Sequence, residues 1–228
     1  MCGRFQFAPK GKAILVDEFG LPEEPDFPDR INLAPTQDAP VVLSGEQGLH
    51  FLPMRWGLVP QWSKGGLPAV SFINARVESA SSKASFHHAW KHRRCLILTT
   101  GYYEWSIKGG APSLIQADSR DVFCFAGLWE PNLEDPINGK PSCTILTSNA
   151  ASEIEDIHHR MPVMLNPQQY EEWLFSGVPG FGLDLEPKLA FPLTYQFVSK
   201  RLNKVAHDDP ACLLPDVPIP PAPGLFDE

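Results

Sequence analysis

The sequence predicts an α+β fold: a single domain with a mostly antiparallel, barrel-like β core and a few peripheral helices. Three observations predict it. Short apolar runs recur between turn residues, helical patterns are few, and the two alternate irregularly instead of as regular strand–helix pairs. The predicted strands are Val41–Ser44, Phe51–Leu58, Ala69–Asn74, Cys95–Thr100, Ser113–Ala117, Val122–Trp129, Cys143–Thr147 and Thr194–Ser199.

The apolar character of one run and a few capping residues refine this prediction. Val122–Trp129 is almost entirely apolar, which indicates a central strand that is buried on both faces. Spacing and capping residues predict three helical stretches. These are Ser79–His92, a short helix that Ser148 or Asn149 would cap and that runs through Ile157, and Pro167–Phe175.

Composition indicates one globular domain with a distinct end. The chain has 228 residues, of which 43% are hydrophobic and 20% charged, which is ordinary for a globular protein. We expect a domain at residues 1–205 and a Pro-rich, acidic tail at 206–228. The tail holds six prolines and five acidic residues without Lys or Arg, so we expect it to be extended on the surface or disordered.

The formal net charge of −8 at first argues against a nucleic-acid partner. The tail accounts for five of those charges, and the run from Lys83 to Arg94 holds four basic residues, three histidines and no acid. Local fields decide where a phosphate backbone docks. The net charge therefore does not exclude DNA, although the basic run by itself also fits a solvated helix face.

Cysteine usage indicates a reducing compartment. The five cysteines form no Cys-x-x-Cys pair, and Cys95, Cys124 and Cys143 lie in or beside apolar runs, where small buried hydrophobes are expected. We expect a cytoplasmic protein, nucleoid-associated if bacterial. No apolar run is long enough to span a membrane. No His, Cys and carboxylate set has metal-ligand spacing, so neither a metal nor another cofactor is expected.

The amino terminus carries the first chemical signal. The chain begins Met1-Cys2-Gly3-Arg4, and a small second residue permits removal of the initiator methionine. A terminal Cys2 would carry an α-amine of pKa about 7.7–8.0 beside a thiol of about 8.5. Such a 1,2-aminothiol condenses with an aldehyde to an imine and then closes a thiazolidine ring. By itself, the motif is equally compatible with an incidental cysteine at a frayed end.

Three internal motifs carry further chemistry. Asn74 ends an apolar run, and its amide can orient an amine and a hydroxyl together. Glu104 lies among aromatic residues, and such surroundings disfavour the charged carboxylate and suit a proton donor and acceptor. His158 titrates near neutrality, as a proton shuttle must. Each is also compatible with an ordinary structural role, as a turn amide, an edge-strand acid or a surface histidine.

Taken together, these motifs resemble the SOS-response-associated peptidase family, known as the SRAP domain, which includes abasic-site sensors. The resemblance runs from residue 2 to about 212. It rests on Cys2-Gly3-Arg4, Trp56-Gly57-Leu58-Val59-Pro60-Gln61-Trp62, Asn74-Ala75-Arg76-Val77-Glu78, Phe86, Arg93-Arg94-Cys95-Leu96-Ile97, Gly101-Tyr102-Tyr103-Glu104-Trp105, Ala126-Gly127-Leu128-Trp129 and His158-His159-Arg160-Met161-Pro162.

The resemblance implies a function and a role for each residue. It implies that the protein binds abasic sites in single-stranded DNA and forms a thiazolidine crosslink that shields the lesion during the DNA damage or SOS response. Cys2 would be the nucleophile, Asn74 would orient its amine, Glu104 would move protons, and His158 would stabilise the ring-opened sugar. Phosphates would be held by Arg4, Arg76 and Arg160, and bases by Trp62 and Trp105. We expect a monomer whose partner is DNA, with no membrane partner.

Three other functions remain open from the sequence. A thiol peptidase, possibly autoprocessing, would use Cys2 as nucleophile and His158 as base. An amidotransferase with an amino-terminal cysteine would also begin Met-Cys-Gly, although no further glutamine-binding motif of that family is seen. A non-catalytic module for single-stranded DNA would bind in a salt-sensitive way without the thiol. Weak lyase activity is expected alongside the leading hypothesis, because an imine intermediate can undergo β-elimination.

Overall fold

The computed structural model describes residues 2–46, 48–63, 72–106, 110–131, 139–175 and 189–216. Its helices are α1 (Ala13–Phe19), α2 (Val77–Ala80), α3 (His87–His92) and α4 (Pro167–Phe175), with short 3₁₀ helices at Gln61–Ser63, Lys200–Asn203 and Pro210–Leu213. Its strands are β1 (Arg4–Phe7), β2 (Arg30–Leu33), β3 (Asp38–Ala39), β4 (Val41–Gly45), β5 (Gly48–Phe51), β6 (Met54–Trp56), β7 (Asn74–Arg76), β8 (Arg94–Thr99), β9 (Gly101–Trp105), β10 (Pro112–Ala117), β11 (Phe123–Glu130), β12 (Ser142–Asn149), β13 (Arg160–Pro162), β14 (Met164–Leu165) and β15 (Leu193–Phe197).

These strands form two sheets in the described part of the chain. The first is antiparallel, in the order β15-β10-β9-β1-β2. The second follows the order β3-β6-β12-β11-β8-β4-β5, with β7 and β13 paired to β12 and β14 paired to β11. Only the pairings of β12 with β6 and β7 are parallel. The α+β class, the mostly antiparallel curled core and the few helices predicted from the sequence are confirmed.

The two faces of the first sheet pack against different clusters. Because side chains alternate along a strand, Tyr102 and Glu104 of β9 point to one face and Tyr103 and Trp105 to the other. Tyr102 belongs to the large core shared with the second sheet, whereas Tyr103 belongs to a small cluster beneath the carboxyl-terminal segment. Glu104 is therefore on the face that looks toward the second sheet.

The buried core includes the three internal cysteines that the sequence placed in apolar strands. Cys95, Cys124 and Cys143 are all fully buried, and none forms a disulfide. Val122–Trp129 largely corresponds to β11, which lies between β8 and β12 as a central strand. No described helix is long and apolar enough to cross a membrane.

The helix predictions have mixed outcomes. α4 spans Pro167–Phe175, as predicted. The stretch Ser79–His92 is divided between the end of α2 and α3, with turns between them. The helix that Ser148 or Asn149 would cap is wrong: both residues belong to β12, where they pair with β13, and only turns follow as far as Ile157. Strand pairing overrides the local capping preference there. Residues 69–71 of another predicted strand lie outside the described residues.

The segment beyond 205 differs from the expected extended or disordered tail as far as it is described. Asp209 caps the 3₁₀ helix Pro210–Leu213 by accepting from the Ala211 amide, and Cys212 is fully buried. The Asp208 carboxylate accepts from the backbone amides of Ile31 and Asn32, both at 2.7 Å. Composition suggested a solvated tail, but these acids satisfy specific amides. Residues 217–228 lie outside the described part of the chain.

Candidate functional site

Cys2 lies at the junction of the two sheets. It lies two residues before Arg4, where β1 begins, and it is fully buried. Its carbonyl oxygen accepts a 2.8 Å hydrogen bond from Nδ2 of Asn74, and its thiol contacts the Arg4 carbonyl oxygen at 3.7 Å. Asn74 begins β7, which pairs with β12 of the second sheet at Ile145. The bond from Asn74 to Cys2 therefore connects the amino-terminal strand to the opposite sheet.

Glu104 supplies a carboxyl group within electrostatic reach of the Cys2 thiol. Only 4% of Glu104 is exposed, and burial raises its pKa from 4.5 to about 7. Burial and then the negative charge of Glu104 raise the pKa of Cys2 well above its ordinary value. Near neutral pH the carboxyl group can thus either give or accept a proton, while the thiol stays protonated.

The side-chain oxygen of Asn74 differs from its nitrogen in having no hydrogen-bond partner in the described residues. This atom, Oδ1, is also buried. A buried acceptor without a partner costs free energy. Because Nδ2 of the same side chain is fixed to Cys2, this acceptor is held beside the amino terminus, where an amine or hydroxyl could donate to it.

His158 is oriented by the backbone of Arg160. Its Nδ1 atom lies 2.9 Å from the Arg160 amide nitrogen and 3.1 Å from the Arg160 carbonyl oxygen. Burial, and then the positive charge of the amino terminus, lowers the pKa of His158, so the ring is neutral near neutral pH. The Arg160 backbone therefore engages Nδ1 in either tautomer, by donating through its amide or accepting through its carbonyl oxygen, and this fixes the orientation of the ring.

The guanidinium of Arg160 is engaged by protein groups. It is 6% exposed and donates to Glu78 at 2.6 and 3.0 Å, to Asn149 Oδ1 at 2.8 Å and to the Thr147 carbonyl oxygen at 2.6 Å. The hydrogen bond from Arg160 lowers the pKa of Glu78. In this arrangement Arg160 fixes the strand that carries the His158 loop, whereas Arg76, at the end of β7, is exposed.

Arg4 and Trp105 contact the carboxyl-terminal segment. Nη1 of Arg4 donates to Oδ1 of Asn32 at 2.6 Å and to the Leu202 carbonyl oxygen at 2.7 Å. Nε1 of Trp105 donates to Oδ1 of Asn203 at 2.8 Å. The 3₁₀ helix Lys200–Asn203 is therefore fixed beside two of the residues predicted to bind DNA.

The remaining predicted contacts fall on the surface. Trp62 is 57% exposed on the 3₁₀ helix Gln61–Ser63. In the basic run, Arg93 pairs with Glu130 and Arg94 is buried, donating to the Trp173 carbonyl oxygen. Two of the four cations in that run thus have structural partners. Within the ranges described, no three His, Cys, Asp or Glu side chains converge as metal ligands would.

Sequence reasoning missed Tyr102. Tyr102 lies two residues before Glu104 on β9, and therefore on the same face. Its hydroxyl is buried with no hydrogen-bond partner in the described residues. After burial, the charges of Glu104 and Cys2 raise its pKa. The strand alternation that places Glu104 toward the site could have identified Tyr102 as its neighbour.

Comparisons with known proteins agree with this architecture. Residues 1–205 match the family model described as SOS response associated peptidase (SRAP). The abasic site processing protein YoqW of Bacillus subtilis is 36% identical over 181 residues, which cover 76% of this chain and 80% of YoqW. YedK of Escherichia coli, also named an abasic site processing protein, is 30% identical over 189 residues, or 79% of this chain and 82% of YedK. A crystal structure of a Bacteroides thetaiotaomicron protein has a TM-score of 0.79 at 22% identity and covers 95% of this chain and 100% of that one. The chain belongs to the SRAP family.

Proposed function

We propose that this protein captures abasic sites in single-stranded DNA by forming a covalent thiazolidine link through Cys2 after removal of Met1. One observation carries the proposal: Nδ2 of Asn74 donates to the Cys2 carbonyl oxygen, Oδ1 of the same amide has no partner among the described residues, and the Glu104 carboxyl group nearby has a pKa of about 7. The names of the relatives YoqW and YedK as abasic site processing proteins support the choice of substrate.

The first step joins the Cys2 amine to the aldehyde of the ring-opened sugar. The amine attacks the carbonyl carbon, and the resulting carbinolamine loses water to give an imine. Oδ1 of Asn74 accepts a hydrogen bond from the amine and aims its lone pair. Glu104 donates the proton that lets hydroxide leave as water, which a carboxyl group of pKa about 7 can do near neutrality.

The second step closes the ring. The Cys2 sulfur attacks the carbon of the protonated imine, a carbon–sulfur bond forms as the C=N π electrons move to nitrogen, and the thiol gives up its proton. Burial and Glu104 keep the thiol protonated, so the amine is the first nucleophile and the thiol the second. The carboxylate that Glu104 becomes in the first step is the base that receives the thiol proton.

His158 acts on the sugar. Its Nδ1 atom is held by the Arg160 backbone, so Nε2 is the nitrogen that would hydrogen-bond the sugar hydroxyl released by ring opening. The lowered pKa of His158 keeps the ring neutral, so it can accept a proton in one step and return that proton when the link reverses. Arg160 contributes by fixing this loop through Glu78, in addition to the phosphate contact predicted from the sequence.

The proposed path of the DNA strand is based on which of the predicted DNA-binding side chains are exposed. Arg76 and Trp62 are exposed and would hold a phosphate and a base, respectively. Arg4 and Trp105 lie beside the carboxyl-terminal 3₁₀ helix and would contact the strand on that side. We propose that one domain, working as a monomer, carries all of these groups and shields the lesion from strand breakage during the DNA damage or SOS response.

The test is intact-mass analysis after the protein is mixed with a single-stranded oligonucleotide carrying one abasic site. The expected product has the mass of the protein without Met1 plus the DNA minus one water, and it survives denaturation. Cys2→Ser keeps the amine but lacks the thiol, so it should form only an imine that borohydride traps and dilution reverses. The durable yield should fall at least a hundredfold.

An alanine inserted between Met1 and Cys2 is the matched control. That variant retains the thiol and the fold but converts the Cys2 nitrogen to an amide. It should form no thiazolidine at Cys2. A Cys2→Ser product as durable as that of the original protein would contradict the ring-closing step, and an unprocessed Met1 in the reactive form would contradict the proposal as a whole.

Thiol peptidase activity is a second candidate because of the family description. A peptidase needs a thiolate nucleophile, whereas burial raises the pKa of Cys2 well above its ordinary value. We therefore expect no peptide cleavage beyond methionine removal when the chain is analysed by mass spectrometry. Weak lyase activity follows from the imine instead, and strand cleavage should rise in Cys2→Ser, where the imine is not captured by sulfur.

A further inference from the structure

Two large aromatic side chains lie exposed on β15, the last strand of the first sheet. Tyr195 and Phe197 are 56% and 60% exposed. They are two residues apart, so both rings project from the same face of the strand. Two large aromatic rings exposed on one face of a strand are a candidate interaction surface.

Strand register places this pair on the face that holds the site. Phe197 pairs with Ser113 of β10, and Ser113 pairs with Glu104 of β9. By the same pairing, the row of Tyr195 leads across β10 to Tyr102. Residues directly opposite one another in an antiparallel sheet share a face. Phe197 is two strands from Glu104, which is about 10 Å at the usual strand spacing.

The rings share the orientation of a residue that packs in the core, yet they are exposed. Leu193, which has the same orientation on β15, packs against the large core, opposite the buried Ala117. Tyr195 and Phe197 lie opposite Ile115 and Ser113, which are also buried, and Phe197 is at the level of Glu104. Because β15 is the end strand of the first sheet, the aromatic pair lies at the outer edge of the face that carries Glu104.

Cations follow the aromatic pair in the sequence. Lys200 and Arg201 begin the next 3₁₀ helix, Lys204 follows its last residue, and all three are exposed. This helix lies beside Trp105, on the other face of the sheet, so the cations lie around the edge strand β15 from the rings. Arg201 also pairs with Asp209 at 3.2 Å. Single-stranded nucleic acid is commonly bound where bases can stack on rings and phosphates can meet nearby positive charge.

We propose that Tyr195 and Phe197 form a stacking platform for the bases on one side of the lesion, with Lys200 and Lys204 holding the adjoining phosphates. The inference rests on the proposed capture of abasic DNA and specifies how the intact part of the strand is held. Since the abasic position has no base to bind, the flanking bases supply the affinity that keeps the aldehyde at Cys2.

The test compares Tyr195→Ala/Phe197→Ala with Thr194→Ala/Gln196→Ala. Thr194 and Gln196 are exposed on the opposite face of the same strand, so the second pair controls for changes in the strand itself. Oligonucleotides carry one abasic site and have either normal nucleotides or baseless tetrahydrofuran spacers on one side at a time. The concentration for half-maximal crosslinking is measured, together with anisotropy of undamaged single strands.

Loss of the rings should weaken crosslinking roughly tenfold with normal flanks and leave it unchanged when the spacers replace the bases on the platform side. The control pair should behave as the original protein. An equal loss with spacers and bases, or no loss at all, overturns the proposal. A dimer seen by light scattering that the double variant dissolves would assign the face to a second copy and also overturns it.

Failure of the proposed function gives a separate result. If the original protein forms no crosslink, capture of abasic sites is wrong, but the anisotropy of undamaged strands still reports the platform. Binding that depends on the flanking bases and on Tyr195 and Phe197 would support the platform as a surface for single-stranded DNA. Binding that depends neither on the flanking bases nor on the two rings would contradict the proposed platform.

Discussion

Two buried polar clusters lie close to β1, and they differ in how completely the fold satisfies them. The Cys2 cluster and the Asn32 cluster both contain buried side chains that could each accept or donate several hydrogen bonds. In the Asn32 cluster, both ends of the central amide have protein partners. In the Cys2 cluster, two buried polar atoms have no partner within the described residues. The Cys2 cluster contains Cys2, Asn74, Tyr102 and Glu104, and the Asn32 cluster contains Arg4, Asn32 and Asp208.

The Asn32 cluster binds the carboxyl-terminal segment to the first sheet. Nδ2 of Asn32 lies within 3.2 Å of the carbonyl oxygens of Leu202, Lys204 and His207, and its Oδ1 accepts from Arg4. A saturated amide of this kind contributes to stability and to a unique arrangement. It has no capacity left for a ligand.

In the Cys2 cluster, by contrast, several buried polar groups lack hydrogen-bond partners or have perturbed pKa values. Oδ1 of Asn74 and the hydroxyl of Tyr102 are buried without hydrogen-bond partners in the described residues, and Glu104 is held with a raised pKa. Sites that break the rules of polar satisfaction are expected where function is located. The difference agrees with the proposal that the Cys2 cluster binds a ligand, whereas the hydrogen bonds of the Asn32 cluster are made within the protein.

Substituting one asparagine in each cluster gives the largest expected contrast. Asn32→Ala should lower the free energy of unfolding by about 3 kcal/mol, because it removes several hydrogen bonds of roughly 1 kcal/mol each. Asn74→Ala should change it by less than about 1 kcal/mol, because the lost bond to Cys2 is offset by removal of an unsatisfied acceptor. Urea unfolding measures both.

The rate of crosslinking should respond in the opposite way, with the larger effect coming from Asn74→Ala. Asn74→Ala should slow the reaction about a hundredfold, as loss of a positioned polar contact at a reacting group does, while Asn32→Ala should retain most of its rate below its unfolding temperature. The comparison fails if Asn74→Ala destabilises the fold as much as Asn32→Ala does, since both clusters would then be structural.

Glu104→Gln tests the raised pKa of Glu104 through the pH dependence of the free energy of unfolding. Burial raises the folded pKa of Glu104 to about 7 from an ordinary 4.5, so the folded state favours the protonated carboxyl group. Its contribution is fully present below about pH 4 and is lost as the pH rises through 7. Relative to the original protein, Glu104→Gln should gain about 3 kcal/mol at pH 8 and nothing at pH 4. Denaturant unfolding at the two pH values measures the gain.

The rate of crosslinking should respond to the same substitution. With Glu104 present, the rate should change near pH 7 as the carboxyl group titrates. In Glu104→Gln that inflection should disappear, and the rate should be about a hundredfold lower, as expected for loss of a general acid and base. An inflection that persists in Glu104→Gln would assign the titration to another group.

The sequence predicted what depends on local chemistry and missed what depends on distant partners. Cys2 and Glu104 could be proposed from the sequence because a terminal aminothiol and a carboxyl group among aromatics carry their chemistry within a few residues. The phosphate contacts of Arg160 and Arg4 stay predictions, and what the sequence did not anticipate is their protein partners Glu78 and Leu202, which are 82 and 198 residues away. No local pattern encodes those pairings.

The adjacent residues Tyr102 and Tyr103 on β9 differ in the same way, and substituting them should give the smallest changes in stability. The Tyr103 hydroxyl donates to the Ile31 carbonyl oxygen at 2.7 Å, whereas the buried Tyr102 hydroxyl has no partner in the described residues. Tyr103→Phe should therefore cost about 1 kcal/mol of stability and Tyr102→Phe should gain up to about 1 kcal/mol, by urea unfolding. Equal losses from both would mean that Tyr102 is already satisfied and that only Asn74 is held for a ligand. A gain in stability for Tyr102→Phe alone would mean that the unsatisfied polar groups of the Cys2 cluster include the Tyr102 hydroxyl.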